Sequence, residues 1–291
     1  MTRKGILMAG GSGNRLKPLT ISVSKQLMPV YDKPMIFYPL TTLMLAGIRE
    51  ILLITNPYNL NAFKKLLSDG SRWGISITYM IQEEPNGIAE AFILGENFIN
   101  NSPSVLILGD NLFHSSEMVS MLKKADKKED GATIFSYRVN DPENYGVINS
   151  DDNGQILDIL EKPNYYVSND AITGLYFYDN SVIKKAKEII PSERNELEIT
   201  SINQMYLREN KLSFSKFNRG SAWLDTGNFD ALHQASSYIR TLERRTGLKI
   251  GCPEEVAWRK GWINSNDLIS LSKDCKDSGY GDYLINLISE Q

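Results

Sequence analysis

Three groups of residues in this 291-residue chain have types and spacing that could do chemistry: a glycine loop with nearby cations, two aspartates at the ends of apolar runs, and a Glu-Lys pair. The loop is Gly10-Gly11-Ser12-Gly13-Asn14-Arg15-Leu16, directly after a short apolar stretch. Without Cβ atoms, glycines let backbone N–H groups come close to phosphate oxygens and form an anion-binding nest. Arg15 offers phosphate a planar fork and Lys25 a compact point charge. Two familiar phosphate loops fail here. The dinucleotide pattern G-x-G-x-x-G, begun at Gly11, would need glycine where Leu16 stands, and no Gly-Lys-Ser/Thr closes a P-loop. Taken alone, the segment also reads as an ordinary strand-to-loop turn with solvated basic residues.

Asp110 stands just past the apolar run 105–108, and Asp225 just past Ala222-Trp223-Leu224. Ligands in open α/β sheets bind at the carboxyl ends of strands, where Asp110 is expected. Two carboxylates meeting there would suit magnesium, which takes oxygen ligands and keeps waters and substrate phosphates. Each aspartate alone also reads as a turn or cap residue. Glu161-Lys162-Pro163 ends a β-like segment, and the proline is expected to hold Lys162 extended, away from helix. Glu161 could accept sugar hydroxyls while Lys162 takes a phosphate; a surface ion pair is the plainer reading. His114 and His233 show no spacing for a competing metal site.

The elements that must position these residues alternate early in the chain. Short apolar runs at 5–9, 50–55, 75–81 and 104–108 are expected to be buried central strands, with a helix over 87–99. That pattern implies an α/β fold with a Rossmann-like, mostly parallel sheet flanked by helices. After Gly131 the texture turns β-rich, with strands expected at 132–138, 146–149, 156–160 and 172–178, and a turn at Asp151-Asp152-Asn153-Gly154. Helices are expected at 181–189 and 199–209 and a strand at 212–217. Asn228 reads as the N-cap of a longer helix with Phe229, Leu232, Ile239 and Leu242 on one face. From residue 251 the chain reads as a small helical appendix.

Composition narrows the partners. A net charge of −3, from 35 acidic and 32 basic groups, argues against a general nucleic-acid scaffold, so an anionic ligand needs a local cluster of donors. Cys252 and Cys275 form no C-x-x-C pair. The apolar run 6–9 is too short for a signal-peptide core, and none approaches the roughly 18 residues of a membrane span. A cytoplasmic protein without membrane contact is expected.

The stretch Met8-Ala9-Gly10-Gly11-Ser12-Gly13-Asn14-Arg15-Leu16, followed by Ser24-Lys25-Gln26-Leu27-Met28-Pro29, resembles the signature of the sugar-nucleotide pyrophosphorylase family. Nearly the whole chain carries the likeness, through Gly109-Asp110-Asn111, Tyr145-Gly146-Val147, Glu161-Lys162-Pro163 and Trp223-Leu224-Asp225-Thr226-Gly227. The likeness continues as Gly251-Cys252-Pro253-Glu254-Glu255, and the tail segment 251–262, Gly-Cys-Pro-Glu-Glu-Val-Ala-Trp-Arg-Lys-Gly-Trp, points to its thymidylyl-transferring branch. One such string is weak; the ordered set is specific.

The resemblance implies a magnesium-dependent transfer of deoxythymidylyl from dTTP to glucose 1-phosphate, releasing pyrophosphate. It implies Arg15, Lys25 and Lys162 as the catalytic cations and Asp110 and Asp225 as metal ligands. Met8, Gly10, Gly11, Gly13, Arg15, Gln26, Gln82, Gly87 and Asp110 would bind the nucleotide. Tyr145, Gly146, Glu161, Lys162, Ile172 and Tyr176 would bind the sugar phosphate. It divides the chain into an α/β domain over 1–250, nucleotide-binding to about 130 and sugar-binding over about 131–227, and the appendix 251–291. It further implies a homotetramer and a second site for an inhibitory end product, with Arg219, Glu255 and Arg259 as candidates; Glu255 and Arg259, four apart, also read as a plain helix salt bridge. Asn14, Lys17, Ser115 and Ser201 depart from residues common in the family, which bears on substrate preference and effector contacts rather than reaction class. A UTP-using or other sugar-phosphate transferase, or a non-catalytic nucleotide sensor, are the alternatives; the failed third glycine disfavours a dehydrogenase.

Overall fold

A computed structural model describes residues 2–11, 13–151 and 153–289; Ser12 of the glycine loop and Asp152 of the expected turn lie outside them. Alternate residues of Lys4–Ala9 bury on opposite faces of the sheet. Leu7 and Ala9 join one apolar cluster, while Ile6 and Met8 join another. A strand covered on both faces belongs at the centre of a layered α/β fold. Lys4–Ala9 pairs in parallel with Glu50–Thr55 on one side and Ser104–Leu108 on the other. Ser76–Ile81 adds in parallel to Glu50–Thr55. These are four of the nine strands of the main sheet.

The second half of the chain extends this parallel core with antiparallel pairings. Asp170–Tyr178 runs antiparallel to Ser104–Leu108 and pairs with Ala132–Arg138 and Gly146–Ser150, and Ile156–Glu161 closes that side. Leu212–Lys216 adds in parallel to Ala132–Arg138. A separate two-stranded ribbon joins Ala222–Leu224 to Leu112–His114, with Leu224 opposite Leu112.

Three local expectations change. Ser76–Ile81 is an edge strand, largely half-exposed, because among the described residues no strand pairs beyond it. The helix expected from residue 87 starts at Glu90 and splits into Glu90–Leu94 and Glu96–Ile99 at Gly95. A Cβ on Gly95 would stand 3.1 Å from Leu52 and 2.9 Å from the Ala91 oxygen, so close packing on the sheet explains the glycine. Asn228 does cap the helix Phe229–Thr246 by accepting from the Ala231 N–H, yet Phe229 is exposed; Ala235 and Ile239 form its buried stripe.

The tail forms the helices Pro253–Arg259, Ser265–Lys273 and Gly279–Ser289. Cys252, Ala257, Trp258, Leu268 and Leu284 merge into the same apolar cluster as Leu7 and Ile107. Trp73 Nε1 donates to Glu254 at 3.0 Å, which fastens the first tail helix to the α/β layer. Among the described residues no helix is long and apolar enough to cross a membrane.

Candidate active site

The glycine loop and Asp110 follow the carboxyl ends of two adjacent parallel strands, in which Met8 pairs with Leu108. The Gly109 N–H donates to the Met8 oxygen at 2.8 Å, so the chain just before Asp110 is tied to the strand that feeds the loop. Gln82 emerges at the same edge, its N–H bonded to the Thr55 oxygen at 2.8 Å. This is the sheet edge at which open α/β folds bind ligands.

Asp225 reaches Asp110 by a different route. The ribbon pairing of Leu224 with Leu112 sets the two segments side by side, and Thr226 Oγ1 donates to the Asp110 oxygen at 2.9 Å. Lys25 Nζ fills the space between them, donating to Asp110 Oδ2 at 2.6 Å and to the Asp225 backbone oxygen at 3.3 Å. Lys25 is buried. Asp225 also accepts from the Tyr145 hydroxyl at 3.1 Å. Burial first, then the carboxylate of Asp225, pushes the Tyr145 phenol well above its ordinary value, so it stays a protonated donor.

Arg15 is exposed, and its guanidinium approaches Gly227: a Cβ there would stand 3.2 Å from both the Arg15 Nη2 and Asp225 Oδ2. Lys162 is exposed on the far wall. Its backbone is not extended as the following proline implied: φ is +43°, in the left-handed region that favours glycine. The Lys162 N–H donates to the Tyr145 oxygen at 3.0 Å, and the strained residue sits where the strand Ile156–Glu161 ends at the cleft.

These residues face one continuous cleft. A cavity of about 250 Å³ is lined by Arg15, Asp110, Lys162 and Asp225 together, and by Tyr145, Gly146, Glu161, Ile172 and Tyr176, so the cations and the acidic pair share one centre. A neighbouring space of about 220 Å³ shares Asp110 and is lined by Met8, Gly11, Gln26, Gln82 and Gly87. Gly13, Lys25 and Arg15 line a third recess against Asp110. A larger polar cavity of about 630 Å³ opens from the same Arg15, Lys162 and Asp225 toward the start of the helix Phe229–Thr246.

Gly87 has a reason of its own to be glycine. Its φ is +113°, and a Cβ would stand 2.5 Å from the Leu197 backbone. The Leu197 N–H donates to the Asn86 oxygen at 2.6 Å and the Leu197 oxygen accepts from Ala89 at 3.1 Å, stitching the loop before Ile199–Arg208 onto the loop beside Gln82. Gly10 is also spatially constrained, since a Cβ would stand 2.6 Å from Gln82 Oε1.

Several site residues escaped sequence reasoning. Buried Asn111 donates to Asp110 Oδ1 at 2.9 Å and accepts from the Trp223 indole at 2.6 Å and the Gly174 N–H at 2.9 Å. It locks the acidic pair's two elements to the central sheet. The signal was Gly174, a glycine inside an apolar strand pattern, which marks a close approach; a Cβ there would stand 2.7 Å from Asn111. Beside the expected sugar wall, Thr200 donates to Glu161 Oε2 at 2.6 Å and Arg194 bridges Glu161 and Glu198. These partners lie more than thirty residues from Glu161, which no short motif reveals.

The second-site candidates separate. Glu255 and Arg259 line a cavity of about 400 Å³ between the tail, the helix Phe37–Leu45 and His114. Arg259 Nε donates to Glu255 at 2.7 Å, the plain i,i+4 pair, and Tyr283 donates to the other Glu255 oxygen at 2.5 Å. Arg219 is exposed in the turn before Ser221 and does not line that cavity.

A family model described as nucleotidyl transferase matches residues 4–241. A glucose-1-phosphate thymidylyltransferase from Neisseria gonorrhoeae is 51% identical over 99% of this chain and 100% of its own length. One from Xanthomonas campestris pv. campestris is 50% identical over 98% and 97%. Among solved structures, a Bacillus anthracis protein described as a glucose-1-phosphate thymidylyltransferase aligns with TM-score 0.76 and 38% identity, over 82% of this chain and 96% of its own. A UDP-glucose pyrophosphorylase complexed with UDP-glucose aligns at 0.72 and 26%, over 83% and 100%.

Proposed function

The chain belongs to the nucleotidyl transferase family, and on that premise we propose that it transfers deoxythymidylyl from dTTP to glucose 1-phosphate, releasing pyrophosphate. The observation that carries this reading is the shared cavity of Arg15, Asp110, Lys162 and Asp225. Residues from four distant segments gather where two anions would have to meet.

In the proposed reaction an oxygen of the sugar 1-phosphate attacks the α-phosphorus of the triphosphate, and pyrophosphate leaves from the opposite side. The new P–O bond forms as the bond to the β-phosphate oxygen breaks, and the leaving group carries the electron pair away. No general base is needed, because a phosphate monoester is largely ionised near neutral pH. The protein's task is alignment and relief of charge repulsion. Lys162, held at the strained end of its strand, grips the sugar phosphate; Arg15 takes the transferring and leaving phosphates across the cleft. Lys25, lodged between Asp110 and the Asp225 backbone oxygen, assists Arg15 with its positive charge beside the phosphates. Glu161, steadied by Thr200 and Arg194, accepts sugar hydroxyls, while Gln82 and Gly87 meet the base.

The residues present fit magnesium. Asp110 and Asp225 offer oxygen donors only, and the ammonium of Lys25 already sits against them. Magnesium takes oxygen ligands and keeps waters and substrate phosphates, so two carboxylates are enough protein ligands for it. When bound it would neutralise developing phosphate charge.

The test is a matrix of triphosphates against sugar 1-phosphates, with magnesium, reading pyrophosphate. Release that requires both dTTP and glucose 1-phosphate supports the reading; nucleotide binding without release would favour a sensor. The same reading extends to a homotetramer and to an end-product site at the Glu255 and Arg259 cavity.

A further inference from the structure

We propose that Glu90 is a positioning residue that selects the base: it fixes the Gln82 amide so that only a base carrying a ring N–H at its pairing edge, thymine or uracil rather than cytosine, is accepted. This rests on the reading that Gln82 meets the base, and goes beyond it by assigning how the choice is made.

Gln82 is buried, with 4% of its surface exposed. A side-chain amide can present either oxygen or nitrogen to a ligand, depending on which way it is turned. Here the turn is set by Glu90. Gln82 Nε2 donates to Glu90 Oε2 at 2.6 Å and more loosely to the Gly87 oxygen at 3.4 Å, which commits both amide hydrogens. Glu90 is itself fixed, because Asn86 Nδ2 donates to its other oxygen at 2.9 Å. Carboxylate oxygens accept, so turning the amide over would set oxygen against oxygen in a part-buried contact.

Gln82 Oε1 is therefore the atom left to face a ligand. It lies over Gly10, where a Cβ would stand 2.6 Å away, and accepts no hydrogen bond from any described residue. A base meeting that oxygen must bring a donor. Thymine and uracil carry a hydrogen on ring N3; the corresponding cytosine nitrogen is an acceptor and would face another acceptor. Sites that hydrogen-bond a substrate group discriminate strongly because the wrong partner leaves a buried polar atom unpaired.

The experiment measures kcat/KM for dTTP and for dCTP, each with glucose 1-phosphate and magnesium, in the full chain and in Glu90→Gln. A glutamine at 90 can offer either an amide oxygen or an amide nitrogen to Gln82, so the Gln82 amide is freed to turn. The dTTP-to-dCTP ratio should fall by about tenfold or more, with kcat/KM for dCTP rising in absolute terms, a gain that loss of structure would not produce. Glu90→Ala, which removes the acceptor from Gln82, should lose the preference in the same way and decides the matter if Glu90→Gln does not fold. An unchanged ratio in the variant that folds, or an equal loss for both triphosphates, would overturn the proposal. Gln82→Leu separates the two levels. If it raises KM for dTTP while Glu90→Gln leaves the ratio alone, only the role of Glu90 fails; if it changes nothing, the base does not meet Gln82 and both fail.

Discussion

The two halves of the cleft are built on different principles. The half beside the glycine loop combines backbone with cations: Gly11, Gly13 and Gly87 bring main chain within reach of a ligand, and Arg15 and Lys25 stand beside them. The half beside Lys162 relies on side chains held by one another, with Glu161 accepting from Thr200 and Arg194, and Tyr145 donating to Asp225. A polyphosphate is read well by N–H groups and cations, whereas a sugar's hydroxyls need oriented acceptors. The contrast teaches that the acidic pair, which stands where the halves meet, must be held by something common to both. Asn111 does this, joining Asp110, the Trp223 ribbon and the central strand at Gly174.

The strongest test therefore strikes the seam. Asp110→Asn should lower kcat/KM by about a thousandfold, by analogy with the loss of a single preorganised electrostatic group. Pyrophosphate release against magnesium concentration checks it; wild-type turnover at limiting magnesium would remove Asp110 from the chemistry. Next, the halves should come apart by substrate. Lys162→Ala should cost roughly a hundredfold in kcat/KM, mainly through KM for glucose 1-phosphate, and Arg15→Ala a similar amount through KM for dTTP. Equal effects of each variant on both KM values would show that the two halves are not separate readers.

How much of this was legible beforehand follows the same division. The nucleotide half lies in contiguous strings, and the strands at 50–55 and 104–108 appear where their apolar runs placed them. Gly87 is the instructive case: the resemblance implied a nucleotide contact, while the structure gives the glycine a prior duty against Leu197. The sugar half was legible as Glu161-Lys162 and, through the resemblance alone, as Tyr145, Gly146, Ile172 and Tyr176, whereas Arg194, Thr200 and Asn111 act through contacts that span the fold. The extended backbone expected of Lys162 was wrong for a tertiary reason: its N–H is drawn to the Tyr145 oxygen at the strand end, and local proline sterics yield.

Gly87 also predicts that the halves are mechanically joined. Gly87→Ala should destabilise the protein by about 1–3 kcal/mol, since alanine is strained at that φ and its Cβ meets the Leu197 backbone. Loosening that stitch should raise KM for both substrates, because Leu197 belongs to the loop that carries Arg194 and Glu198. Thermal unfolding with paired KM measurements checks this; a change confined to the nucleotide would mean the loops move independently.

The smallest expected effect reaches the seam from behind. His114 pairs with Ala222 on the ribbon that carries Asp225, contacts the Tyr238 hydroxyl at 2.8 Å, and lines the tail cavity on its other side. Burial holds its imidazole below the ordinary value, so the folded state binds its proton less readily than the unfolded chain. Its stabilising contribution is then complete above the unfolded value of about 6.5 and is lost as pH falls from there toward the folded pKa. Unfolding midpoints between pH 7.5 and 5.5 should consequently fall further in the native chain than in His114→Gln, which has no proton to gain. If the two fall in parallel, the acid sensitivity lies elsewhere than His114.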